Sequence, residues 1–172
     1  MDEIGLLDGG ASWNDFRAAR GRFFEGLSRR KGEVRGNAAP MTLRRFVEAW
    51  GARDADAVAA QFSVDGVRHQ FASPEARLRG RTEIALGVAA IIRAVPDCRL
   101  DVRACVEGGG GVVALEWTFT GTYERDLPGL TDGTEIVLPG ISVVTVGSDG
   151  LIVLENVYWD RATLMAALGT FD

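Results

Sequence analysis

A chain of 172 residues with 47% hydrophobic and 25% charged content is long enough for one well-filled core and sits in the ordinary globular range. A formal net charge of −5 and a pI near 5.0 exclude a dominant nucleic-acid footprint, because phosphate binding needs clustered positive charge. No apolar run reaches the ~18–20 residues of a membrane span, and the start MDEIGLLDGG has no basic region ahead of an apolar stretch, so the expectation is a cytoplasmic protein with no membrane partner.

In chain order, SWNDFRAARGRFFEGLSRR places Trp13, Phe16, Phe23, Phe24 and Leu27 near one helical face. Ser12 with Asp15 three residues later reads as a capping box. KGEVRGNAAP then breaks the pattern as a linker, so residues 1–40 read as an amphipathic helical arm ahead of a compact domain at 41–172. In MTLRRFVEAW, Leu43, Phe46, Val47 and Trp50 form one helical stripe, with Thr42 as its expected cap. RDADAVAAQF follows as a short helix capped by Asp54. GVRHQF reads as a strand in which alternation puts Val67, His69 and Phe71 together on the apolar side.

After a loop with Pro74 and Gly80, RTEIALGVAAIIRAV is a third helix with Ile84, Val88, Ile91 and Val95 on its stripe, closed by Pro96. CRLDVRACVE, GVVALEWTFTGTYE, EIVLPGISVVTV and GLIVLENVYW all read as strands, with glycine-rich turns EGGGG and GSDG between neighbours. RATLMAALG closes the chain as a helix capped by Asp160. Cys98 and Cys105, with one histidine in the whole chain, offer neither a zinc ligand set nor a disulfide framework and read as reduced and partly buried.

This order is α+β: a curved, largely antiparallel sheet rolled into a cone, covered by three helices, with an apolar mouth suited to a small molecule. The segments RRFVEAWGARDADAVAAQFSVDGVRH, LRGRTEIALGV and LPGISVVTVGSDGLIVLENVYWDRATLMAALG together resemble the nuclear transport factor 2-like superfamily, and within it the SnoaL-like polyketide and ester cyclases. The likeness runs from residue 41 to 169. It implies a cystatin-like roll, a small hydrophobic oxygenated substrate, no cofactor, and a homodimer formed through the outer sheet face.

Position by position, the resemblance puts the oxyanion-binding tyrosine of ketosteroid isomerase at Phe46, its protonated aspartate at Ser142 and its base near His69 or Gln70. The final-strand aspartate of limonene epoxide hydrolases and cyclases falls beside Val157 and Tyr158, and a cyclase histidine at Val143 or Val144. Most of these positions cannot carry a proton.

What remains for chemistry is His69, Glu155, Ser142, Tyr123 and Tyr158. Alternation groups Val153, Glu155, Val157 and Trp159 on one face of the last strand, and by analogy with the family that face points inward. A His69/Glu155 pair would then serve as general base, removing a proton α to a carbonyl or from a hydroxyl so that a ring closes. Ser142 or Tyr123 would donate to the developing oxyanion. Phe46, Trp50, Trp117, Phe119, Val157 and Trp159 would line the substrate pocket, and RDLPGLTDGTEIVLPG would form a lid at its mouth. The same residues admit a noncatalytic binding or dimerisation module, in which His69 is a satisfied core residue and Glu155 pairs with an arginine such as Arg103. They also admit an isomerase, hydratase or epoxide-opening enzyme.

Overall fold

The computed structural model describes residues 41–73, 76–124 and 133–169. The N-terminal arm at 1–40 and the segment 125–132, half of the expected lid at 125–140, lie outside these residues, and the lid's other half is strand from Thr134 onward rather than loop. The described elements are α1 (Met41–Ala52), α2 (Ala55–Ala60), β1 (Phe62–Gln70), β2 (Arg77–Arg79), α3 (Gly80–Ala94), β3 (Arg99–Glu107), β4 (Val112–Tyr123), β5 (Thr134–Val146), β6 (Ile152–Trp159) and α4 (Arg161–Ala167).

Six strands form one curved, unclosed sheet in the order β2-β1-β6-β5-β4-β3. β3 to β6 are joined as antiparallel neighbours. β1 instead lies parallel to β6, and this makes the sheet mixed. β2 falls where the sequence reads as loop. Its RLR has no apolar alternation to announce it, and it is held by antiparallel pairing with Val67–His69.

α1 buries Leu43, Phe46, Ala49 and Trp50, so Ala49 replaces the expected Val47 as the buried member of the stripe. Thr42 lies inside the helix, and its hydroxyl donates to the Gly150 carbonyl, tying α1 to the β5–β6 turn. Asp54 caps α2 by accepting from the Ala57 amide at 2.9 Å, and Asp160 caps α4 by accepting from the Ala162 amide at 2.9 Å, both as expected. α3 buries Ile84 and Val88. The β3–β4 turn needs Gly111, whose φ of +76° and close approach to the Val146 carbonyl leave no room for a Cβ.

The core has two parts. Leu43, Phe46, Val58, Phe62, Ile84, Val88, Leu115, Val144 and Ile152 fill the space between the helices and the inner sheet face. Val95, Cys98, Tyr123, Ile136, Leu138 and Leu168 form a second cluster toward the outer ends of β4 and β5. Asp97 pins the α3–β3 corner to β4, accepting from the Thr122 amide at 2.6 Å and hydroxyl at 2.9 Å, bonds that pull its carboxyl below the ordinary carboxylate range. Cys98 and Cys105 are free, and burial pushes both thiols up. No helix among the described residues is long and apolar enough to cross a membrane.

Candidate functional site

A cavity of about 200 Å³ opens between the two core clusters. This lies below the ~300–1,000 Å³ of drug-sized ligand sites, so as bounded by the described residues it suits a small occupant. Its walls are aliphatic and aromatic, with Trp50 from α1, Leu100 from β3, Phe119 from β4 and Leu138 from β5 among them. Among the described residues, Arg68 and Glu155 are the only charged side chains in the lining, joined by the polar Gln70, Ser142 and Tyr123.

The polar groups form one connected chain. Arg68 and Glu155 are register partners on the parallel strands β1 and β6, which brings Arg68 Nε to 2.9 Å from Glu155 Oε2. Ser142 Oγ on β5 donates to Glu155 Oε1 at 2.9 Å, and Trp117 Nε1 on β4 donates to Ser142 Oγ at 3.1 Å. Four adjacent strands thus contribute one member each. Glu155 is 1% exposed, Ser142 3% and Arg68 5%, so the network is enclosed. Arg68 also lies over the Trp50 ring, with Cζ 5.6 Å from its centroid, a cation–π contact that favours the guanidinium in apolar surroundings. Gln70 is oriented separately, by Trp159 Nε1 donating to its Oε1 at 3.2 Å.

Gly140 makes the Trp117 position available. It stands opposite Trp117 in the β4–β5 register, and a Cβ there would run into the indole ring. The ring therefore lies across β5 with its N–H at Ser142.

The expected His69/Glu155 pair does not form. His69 is absent from the cavity wall and lies tilted against Phe71, with ring centroids 4.2 Å apart, while Phe71 stacks on Tyr158 at 4.6 Å. Side chains alternate along β1, so Arg68 and Gln70 face the cavity and His69 faces the open side of the sheet. The carboxylate's partner is Arg68, neither His69 nor Arg103. Phe46 is a second correction: it packs edge-on against Phe62 at 6.1 Å in the core and does not line the cavity. Trp50, Trp117, Phe119, Tyr123, Ser142, Glu155, Val157 and Trp159 do line it. Tyr158, weighed as a polar group for the cone, is 42% exposed on the other face. Val153 is likewise exposed while Ile152 is buried, because the β5–β6 register shifts between Thr145 and Val146.

Of the polar residues in the cavity wall, Arg68 is the one that the sequence reading passed over, and Gln70 entered it only as an alternative to His69 for the isomerase base. Gly66 carried the signal. Glycine inside a strand marks a bulge or close backbone approach, and the β1–β6 register is irregular between Phe62 and Val67, with the Ile152 carbonyl 2.9 Å from where a Gly66 Cβ would sit.

The sequence pattern of the SnoaL-like domain matches residues 43–155. No curated protein matches the sequence. Among similar solved structures, a hypothetical protein with a ketosteroid isomerase-like fold from Catenulispora acidiphila DSM 44928, in complex with trimethylamine, is 18% identical with a TM-score of 0.65, covering 76% of this chain and 93% of its own. A candidate polyketide cyclase from Xanthomonas campestris pv. campestris is 26% identical with a TM-score of 0.61, covering 74% of this chain and 93% of its own. An NTF2-like protein of unknown function from Burkholderia pseudomallei K96243 is 18% identical with a TM-score of 0.63, covering 74% of this chain and 94% of its own. The family pattern spans every member of the cavity's polar network, from Arg68 to Glu155, and the neighbouring structures share the fold: the chain belongs to the SnoaL-like domain family, on the nuclear transport factor 2-like fold.

Proposed function

We propose that the domain binds a small, mostly apolar, oxygenated molecule in this cavity and closes a ring within it by cofactor-independent proton transfer, with Glu155 as the proton acceptor. The observation that carries the reading is a carboxylate 1% exposed, fixed by two donors, at the wall of a mostly apolar cavity. As a stabilising device the arrangement is poor, since desolvation of a buried ion pair offsets most of its attraction. As a site it is apt, because a held carboxylate can meet a substrate C–H without reorganising.

Each carboxylate oxygen has two lone pairs and accepts one hydrogen bond from the protein, which leaves capacity for a proton. In the proposed step Glu155 takes a proton from the carbon α to a substrate carbonyl. The C–H electron pair moves into the carbonyl, whose oxygen becomes an enolate. The nucleophilic carbon then adds to a second carbonyl of the same molecule, and the proton on Glu155 passes to the alkoxide so formed. Negative charge leaves the carboxylate for an oxygen still within the field of Arg68, so net charge in the cavity never changes. On the open sheet face, the exposed Phe71, Ile141, Val153 and Tyr158 would be the surface on which two copies pair.

The test is α-proton exchange of 1-tetralone in D2O, followed by NMR. Wild-type protein should accelerate exchange by ~10² or more over buffer, and Glu155→Gln should bind the ketone yet exchange it at the buffer rate. Wild-type exchange no faster than buffer would overturn the catalytic reading. One observation favours a second reading, a noncatalytic ligand-binding module: both oxygens of Glu155 are already engaged, by Arg68 and by Ser142. Under that reading 1-tetralone binds and its α-protons keep their buffer rate.

A further inference from the structure

We infer that the cavity selects an electrically neutral carbonyl compound, anchored by Nη1 of the Arg68 guanidinium, and discriminates against carboxylates of the same shape. The inference rests on the cavity being a small-molecule site, as proposed above, and adds the chemical class of the occupant.

Two observations carry it. First, Arg68 uses Nε for Glu155, while its Nη1 is buried without a hydrogen-bond partner, in a side chain that lines the cavity and is 6% exposed. A buried donor left unpaired costs free energy, and most buried polar groups in folded proteins are paired. An acceptor oxygen brought by an occupant removes that penalty, whereas a hydrocarbon of the same shape leaves it in place. Second, the charge on Arg68 is already offset. Arg68 and Glu155 are the only charged side chains in the lining among the described residues, so the wall they form is neutral. A carboxylate bound at Nη1 would bring a second negative charge beside Glu155 with no second cation to meet it, and burying an uncompensated charge is strongly unfavourable. A ketone, ester or quinone oxygen satisfies the donor without that charge. Apart from Gln70, Tyr123 and Ser142, the rest of the wall, from Ile91, Val95 and Leu100 to Ile136 and Leu164, offers apolar contact to the body of the molecule. A bare arginine in such a pocket would signal an acid, and the paired Glu155 reverses that preference.

The experiment compares three bicyclic probes of similar shape by ligand-observed NMR titration: tetralin, 1-tetralone and 1-naphthoate. Wild-type protein is expected to bind 1-tetralone at least tenfold tighter than tetralin and at least tenfold tighter than 1-naphthoate. Arg68→Met alone leaves Glu155 buried without its counter-charge and can fail to fold, so the decisive variant is R68M/E155Q, which keeps the wall neutral. In it the preference for 1-tetralone over tetralin should fall to twofold or less. Equal affinity of the wild type for tetralin and 1-tetralone would sink the carbonyl anchor while leaving the cavity as a binding site. Tighter binding of 1-naphthoate would show an anion site and overturn the inference in the same way. A tetralone preference undiminished in R68M/E155Q would remove Arg68 as its source. Binding of none of the three would reject the cavity as a small-molecule site, and the inference with it.

Discussion

Arg68 and His69 are neighbours on one strand and end in opposite environments. Arg68 turns to the helix-covered face, where it meets Glu155 and closes a network with Ser142 and Trp117. His69 turns to the open face, where Phe71, Tyr158, Ile141 and Val153 all stand more than a third exposed. The inner face thus holds one ion pair among apolar walls, while the outer face leaves apolar side chains in water, a departure from simple apolar-in, polar-out alternation. The difference teaches that burial follows pairing as well as hydrophobicity: an arginine enters a core when a register partner supplies the opposite charge, and a histidine without one stays outside.

The largest effect should come from breaking that pair on one side. Glu155→Ala leaves the Arg68 charge buried and uncompensated, and should lower unfolding free energy by ~3–5 kcal/mol, read as a fall in the urea midpoint. Replacing both residues by apolar ones, Arg68→Met with Glu155→Leu, should recover most of that loss or exceed the wild type, because a packed hydrophobic pair replaces a desolvated ionic one. A double variant as unstable as Glu155→Ala would show that the inner face depends on something other than charge pairing. A smaller effect is expected at Ser142, which serves two neighbours at once. Ser142→Ala takes the acceptor from Trp117 Nε1 and one donor from Glu155, and should cost ~1–3 kcal/mol. Thermal unfolding with the near-UV signal of the tryptophans would register it, and an unchanged melting temperature would mean that the network is not mutually supporting.

The helices and the last four strands are legible in the sequence because their periods are sustained. Leu43, Phe46 and Trp50 repeat along α1, and β3 to β6 run eight residues or longer between glycine turns. Most of the cavity wall is legible for the same reason, since Trp117, Phe119, Val157 and Trp159 follow from strand phase once the fold is known. β1 is not. Val67, His69 and Phe71 carry the apolar character that alternation assigns to the interior, and the apolar outer face of the sheet makes that assignment misleading. The missing information is the pairing of β1 with β6, a contact across 87 positions of sequence that no local pattern encodes. Phe46 fails more simply: a buried aromatic on α1 can face the core or the cavity, and only its contact with Phe62 settles the choice.

The smallest effect, and the sharpest division between the two faces, is expected at His69. Its ring lies tilted against Phe71, which is itself 45% exposed, so water competes for much of that contact. Aromatic pairs contribute ~0.5–1.5 kcal/mol beyond area burial, and surface substitutions usually stay within about 0.5 kcal/mol. His69→Ala should therefore cost less than ~1 kcal/mol and leave both the affinity for 1-tetralone and its α-proton exchange within twofold of wild type. The same assay on Glu155→Gln should lose the exchange entirely. A tenfold loss of exchange in a folded His69→Ala protein would mean that the imidazole reaches the reacting atoms after all, which requires β1 to pair one residue out of register and every side chain from Val67 to Gln70 to change faces.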